Sequence, residues 1–215
     1  MKRINIMLVV LMATVMTVQA QYDQKAKTIL DAMSARYKKM PSYIAQFSTA
    51  LVNETEGLNE VFEGQITVKG DQYVLKTEEQ EVINDGKTVW TYLPDVNEVN
   101  IDVYSPDDDE ITPSSIFDEY KNGYKYIWME TVKEQGMDSD VIDLIPNESS
   151  DTQFFKIKMV ISSKVRTLLK WTMFEKQGNK YIYTISNFND KATVPDALFK
   201  FDKSKYPGVE IVDLR

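Results

Sequence analysis

The chain contains neither cysteine nor histidine. Without them no Ser-His-Asp or Cys-His catalytic arrangement can form. Zinc sites of the usual Cys/His composition are excluded as well, and so are disulfides. Glycine is sparse, with eight residues, and no GxGxxG or P-loop sequence occurs. Carboxylate chemistry stays open, as in glycosidases. With 33 acidic residues, however, chance pairs are expected, and nothing in the sequence selects one pair. After the first 20 residues there is no apolar run long enough to span a bilayer, which needs about 20 residues.

The one continuous apolar run lies at the start. Lys2 and Arg3 precede an apolar stretch from Ile4 to Val18, and Val18-Gln19-Ala20 has the small-x-small form of a cleavage site. Residues 1–20 are therefore read as a cleaved secretory signal, with Gln21 starting a single mature domain over 21–215. Without Lys2 and Arg3 the net charge is about −10, which argues against nucleic acid as a partner. An acidic surface also keeps a protein from sticking to anionic membranes. A mature chain of this length can bury one sizeable core without disulfides.

Periodicity divides the rest. Ala26, Ile29, Leu30, Met33, Tyr37 and Met40 recur at helical spacing within 22–40, and Pro41 ends the run. From Tyr43 the period changes to two. Phe62, Gly64, Ile66 and Val68 share a face, Gly70-Asp71 makes a hairpin turn, and Tyr73 and Leu75 follow. Later, Phe155, Ile157, Met159 and Ile161 alternate with polar residues, and Leu169, Trp171 and Met173 share a face of the next strand. Gly136 to Ser139 reads as a loop tip, and Val209 to Leu214 as a last strand. The acidic run Asp107 to Glu110 lacks the spacing of a calcium loop and reads as solvated. It leads to Thr112 and Pro113, a cap and first-turn pair for a short helix over 114–121 with Ile116, Phe117 and Tyr120 as its apolar residues. Strands at roughly ten-residue spacing predict a large antiparallel sheet or open barrel. Its apolar concave face needs a cover, and helix 22–40, helix 114–121 and the turn near Pro195 are the segments available.

The stretch Val82 to Ile101 is the most informative. Asn84-Asp85-Gly86 supplies a turn that tolerates positive φ, Val89, Trp90 and Tyr92 make a bulky strand, and Leu93-Pro94-Asp95 turns the chain back into Val99 and Ile101. Its wording, Asp85-Gly86-Lys87-Thr88-Val89-Trp90-Thr91-Tyr92, resembles a motif of the LolA family of periplasmic outer-membrane lipoprotein carriers. The resemblance extends to Ile44 to Ser48, to Glu63 to Lys69, to Thr112-Pro113 before Ile116 and Phe117, and to Phe199-Lys200-Phe201 before Pro207-Gly208-Val209.

The resemblance implies an α+β, mainly β fold: an incomplete, strongly curved antiparallel β-barrel with helices as a lid over its concave apolar face. It also implies a non-enzymatic carrier in the periplasm of a diderm bacterium, without cofactor or metal, working as a monomer. Acylated lipoproteins would be the cargo, a LolCDE-type inner-membrane transporter the donor and, in some bacteria, a LolB-type outer-membrane protein the receiver. The residues expected to line the cavity and lid are Ile66, Val68, Tyr73, Leu75, Trp90, Tyr92, Ile101, Ile116, Phe117, Phe155, Ile157, Met159, Trp171 and Met173. The alternative is a same-fold lipid or lipoprotein sensor, a group whose members carry a second domain. One departure stands out. An Arg that latches the lid in the family has no counterpart at Val68-Lys69-Gly70-Asp71, so a different latch is expected, with apolar contacts from Ile116 and Phe117.

Overall fold

The structure, a computed structural model, describes residues 23–105, 116–147 and 152–215. The signal segment, the acidic run with Thr112 and Pro113, and Ser114-Ser115 lie outside the described residues.

Helix α1 runs from Gln24 to Lys39. Asp23 caps it: one carboxylate oxygen accepts from the backbone N–H groups of Lys25 (2.8 Å) and Ala26 (3.1 Å). Arg36, Lys38 and Lys39 in the last turn complement the helix dipole. Ala26, Ile29, Leu30, Met33 and Tyr37 form its buried stripe, as the spacing predicts.

Among the described residues twelve strands follow: β1 (Tyr43–Asn53), β2 (Leu58–Lys69), β3 (Gln72–Thr77), β4 (Glu81–Asn84), β5 (Thr88–Leu93), β6 (Glu98–Val103), β7 (Tyr124–Glu134), β8 (Met137–Pro146), β9 (Phe154–Ser162), β10 (Leu168–Glu175), β11 (Lys180–Asn189) and β12 (Glu210–Asp213). They form one sheet in the order β12-β6-β5-β4-β3-β2-β1-β11-β10-β9-β8-β7. Two meanders, β1 to β6 and β7 to β11, are joined by the antiparallel pairing of β1 with β11. The two end strands do not pair with each other, so the barrel stays open. β12 returns parallel to β6, the one parallel pair among the described strands. The end strand β7 is blunted by Asp23, whose second oxygen accepts from the Trp128 N–H at 2.9 Å.

The turns follow the sequence closely. Gly70 and Gly86 adopt φ of +57° and +89°. Asn84 and Asp85 fold their side chains back onto the backbone N–H groups of Gly86 and of Lys87 and Thr88. The β7–β8 turn sits at Gln135-Gly136, both at positive φ, and Ser139 is fully buried within β8 instead of lying at a loop tip.

Cross-strand partners share a face, and this assigns the two faces. Val68, Tyr43, Tyr126, Ile142, Leu144, Ile157, Met159, Ile161 and Leu168 join the α1 stripe in one core on the concave side. A register shift between Leu168 and Lys170 places Leu168, not Leu169, on the face of Trp171 and Met173. On the convex side, Val74 pairs with Ile83, Ile83 with Trp90 and Trp90 with Ile101. Val194 and Phe199 cover this second cluster. The segment at Pro195 is therefore a strap on the outside of the sheet. It does not cover the concave face, because its anchors Val194 and Phe199 pack on Val74 and Ile83, which point away from the cavity.

Candidate functional site

α1 covers the β7–β9 side of the concave face. Between β1, β2, β3, β10 and β11 the same face is left hollow, as a cavity of about 470 Å³. Its walls are Tyr43, Ala45, Phe47 and Thr49 from β1, Phe62 and Ile66 from β2, Leu75 and Thr77 from β3, Trp171 and Met173 from β10, and Tyr183, Ile185 and Phe188 from β11. Glu79 and Gln80 supply polar groups at one end, and Ile116 and Phe117 close the other. The volume lies within the range of small-molecule sites. Strands from both meanders face one another across it, so the sheet must curve strongly.

Two local devices keep the space open. Gly64 pairs with Phe47, and a Cβ on Gly64 would lie 2.6 Å from the Phe47 ring and 2.5 Å from the Lys76 carbonyl. The ring can lie against the β2 backbone only because that side chain is missing. Trp171 stacks on Tyr183 with centroids 4.5 Å apart and planes 6° apart, forming a flat apolar wall. Burial pushes the Tyr183 phenol above its ordinary pKa, so it stays neutral.

The closing segment is a turn over 116–118 followed by a single 3₁₀ turn, Glu119–Lys121, where a two- to three-turn helix over 114–121 is expected. It is tied to α1 at three points. Phe117 lies flat on Tyr37, with centroids 3.4 Å apart and planes 8° apart. Asp118 accepts from Ser34 Oγ at 2.6 Å and pairs with Lys38 Nζ at 2.6 Å and with Lys121. Tyr120 donates its phenol proton to Asp31 at 2.6 Å. Burial opposes ionisation of Asp118, but the hydrogen bonds from Lys121, Lys38 and Ser34 outweigh it and hold its carboxyl at about 2. Burial and the neighbouring Asp31 carboxylate both push the Tyr120 phenol up, so it remains a donor. Lys69 points outward and bonds the Val194 carbonyl and Asp196 of the strap.

Of the residues expected at the site, Ile66, Leu75, Ile116, Phe117, Trp171 and Met173 line the cavity. Val68 lines a smaller neighbouring space. Tyr73 packs against the concave core, and Ile157 and Met159 are fully buried within it beneath α1. Trp90, Tyr92 and Ile101 are corrections. They belong to the convex face, where Trp90 packs with the Val74 cluster and Tyr92 meets Tyr206 at 4.6 Å between centroids. Phe155 is another. A register irregularity beside Phe154 turns it outward against Phe174, and it is 49% exposed. The β1 wall (Tyr43, Ala45, Phe47, Thr49) and the β11 wall (Tyr183, Ile185, Phe188) were not anticipated. The period of two from Tyr43 was visible, but which parity faces inward depends on pairing with β2, and in β11 a register shift beyond Ser186 brings Phe188, not Asn187, to the face of Ile185.

An open, twelve-stranded sheet curved around a lidded apolar cavity defines the architectural class: an incomplete barrel with an internal apolar site. The particular family follows from comparison. The profile described as "Outer membrane lipoprotein carrier protein LolA" matches residues 42–202, and the chain belongs to that family. It is 28% identical over 207 residues to the outer-membrane lipoprotein carrier protein of Pectobacterium carotovorum subsp. carotovorum, covering 93% of both chains. It is 30% identical over 139 residues to the carrier of the same description from Haemophilus influenzae, covering 64% of this chain and 62% of that relative. An uncharacterized conserved protein from Thermus thermophilus shares the fold, with a TM-score of 0.60 at 12% identity over 88% of this chain and 99% of the other. Among the described residues, no helix is long and apolar enough to cross a membrane.

Proposed function

We propose that this chain is exported by its cleaved N-terminal signal to the periplasm of a diderm bacterium. There it carries lipoproteins from the inner to the outer membrane with their acyl chains in the concave cavity. The lidded apolar cavity of about 470 Å³ carries this reading. Each CH₂ removed from water is worth about 0.8 kcal/mol, so acyl chains need an apolar solvent in transit. A monomeric LolA-family sheet with one face hollowed provides that solvent without chemistry or cofactor. The donor is a LolCDE-type transporter, and a LolB-type protein is the receiver where one is present. The acidic surface disfavours premature docking on anionic lipid.

The lid is held by one ring stack and a cluster of partly exposed ion pairs, and such contacts are individually weak. Loading and delivery both require it to open, so a marginal latch suits the task. The test is incubation of the mature protein with spheroplasts. The expected outcome is release of a lipidated lipoprotein into solution as a one-to-one complex. Quenching of Trp171 fluorescence by a brominated acyl chain, absent in Trp171→Phe, would place the chain in the cavity. If neither release nor acyl binding occurs, the carrier reading is overturned.

A further inference from the structure

A second cavity of about 310 Å³ lies behind the closing segment. Tyr43 and Phe117 line both cavities, so they form the wall between them. The two spaces differ in chemistry. The larger is apolar over most of its lining. The smaller has an apolar floor of Met40, Val68 and Tyr37, and polar groups from Lys38, Asp71 and Asp118. The two wall residues also differ in how they are held. Tyr43 is fixed within β1, paired with Val68 of β2. Phe117 belongs to a turn and is kept in place by its stack on Tyr37 and by edge-to-face contact with Tyr43 at 6.4 Å.

We infer that Phe117 is a gate between an acyl chamber and an amphipathic chamber. When its ring swings off Tyr37, the two spaces join into one site that takes an acylated amphiphile: chains in the larger part, and the ester- and amide-bearing junction between chains and head in the smaller. The chemical gradient along the joined space matches that of such a ligand. A single free acyl chain has no need of the second chamber, whereas a multiply acylated lipopeptide, with its bulky junction, does. Phe117 therefore determines which acylated ligands fit. Any ligand that needs the open state binds more weakly by the fraction of molecules that are closed. Removing the ring removes that penalty, by the worth of one aromatic stack.

This rests on the reading of the larger cavity as an acyl site, and the experiment separates the two. Affinities for a triacylated lipopeptide and for a single-chain fluorescent fatty acid are measured with wild type and with Phe117→Ala. The ratio of lipopeptide to fatty-acid affinity is expected to rise about twofold to tenfold in the variant. Phe117→Leu, which keeps apolar bulk but cannot stack, is expected to give a smaller rise, and it replaces the Ala variant if a thermal melt shows the latter unfolded. Phe117→Trp, a thicker partition, should lower the ratio. Wild type that binds neither probe overturns the acyl-site reading. Wild type that binds both, with a ratio unmoved in folded variants, overturns the gate.

Discussion

The two halves of the concave face make opposite use of one sheet. On the β7–β9 side, Ile142, Leu144, Ile157, Met159 and Ile161 are fully buried against Ile29, Leu30 and Met33 of α1. On the β1–β3 side, the inward positions include Ala45, Thr49, Gly64 and Thr77, and among the described residues the Ile116-Phe117 turn is what closes the space. Curvature and hydrogen bonding run through both halves, so what differs among the described residues is the covering segment, a helix of 16 residues on one side and a turn on the other. A close-packed core follows where large side chains meet a helix. A cavity survives where the cover, among the described residues, is a turn, although large side chains such as Phe47, Phe62 and Trp171 line the sheet there. The site thus lies on the part of the concave face that α1 does not cover.

Truncation breaks this comparison most strongly. Leu144→Ala should lower unfolding stability by about 2–5 kcal/mol, because α1 and the sheet enclose the vacated space. Ile66→Ala, across the sheet, should lower it by about 1 kcal/mol, because its neighbours already face open volume. Denaturant unfolding of the two variants measures the difference. Equal losses would mean that the hollow half is packed as tightly as the filled half.

Enlargement sharpens the same contrast from the other side. Thr49 lines the cavity, and Thr49→Phe places a ring in it. Acyl-probe affinity should fall about tenfold, while the melting temperature moves less than in Leu144→Ala. A ring there that leaves affinity unchanged would show that the acyl chain lies elsewhere.

Much of this was legible in the sequence, and the failures share one cause. The amphipathic stripe from Ala26 to Tyr37, the hairpin at Gly70-Asp71 and the meander from Val82 to Ile101 are set by local periodicity and turn chemistry, and they stand as read. Which face each strand turns inward is a matter of register, and a one-residue slip inverts it. Trp90 and Tyr92 are bulky and alternate well, but Trp90 sits opposite Ile83, two strands from the cavity, under a strap whose position no local pattern reveals. Phe155 and Leu169 were misplaced by irregularities in the β9–β10 pairing. The latch escaped for a different reason. Asp118, Ser34 and Lys38 are ordinary surface types, and their meeting depends on how the closing segment lies along α1.

That latch joins the two halves, because it ties the cover of the hollow one to α1, the cover of the filled one. Asp118 is ionised in the folded state down to about pH 2, against an ordinary value of 3.8. Its contribution is therefore fully present above about pH 4 and is lost as pH falls through about 2. The groups facing it are Ser34 and Lys38 on α1 and Lys121 on its own segment, and the adjoining Asp31, which bonds Lys27 and Tyr120, is also held below its ordinary value. Lys38 is 62% exposed and Lys121 42%, so screening keeps the effect on global stability at or below about 1 kcal/mol. Amide-exchange protection of residues 116–121 should drop between pH 4 and pH 2, while that of β8 and β9 holds. In Asp118→Asn the segment should already be less protected at neutral pH, and part of the acid-dependent drop should disappear. A variant with the wild-type profile would mean that the Phe117–Tyr37 stack and the Tyr120–Asp31 hydrogen bond hold the segment without Asp118.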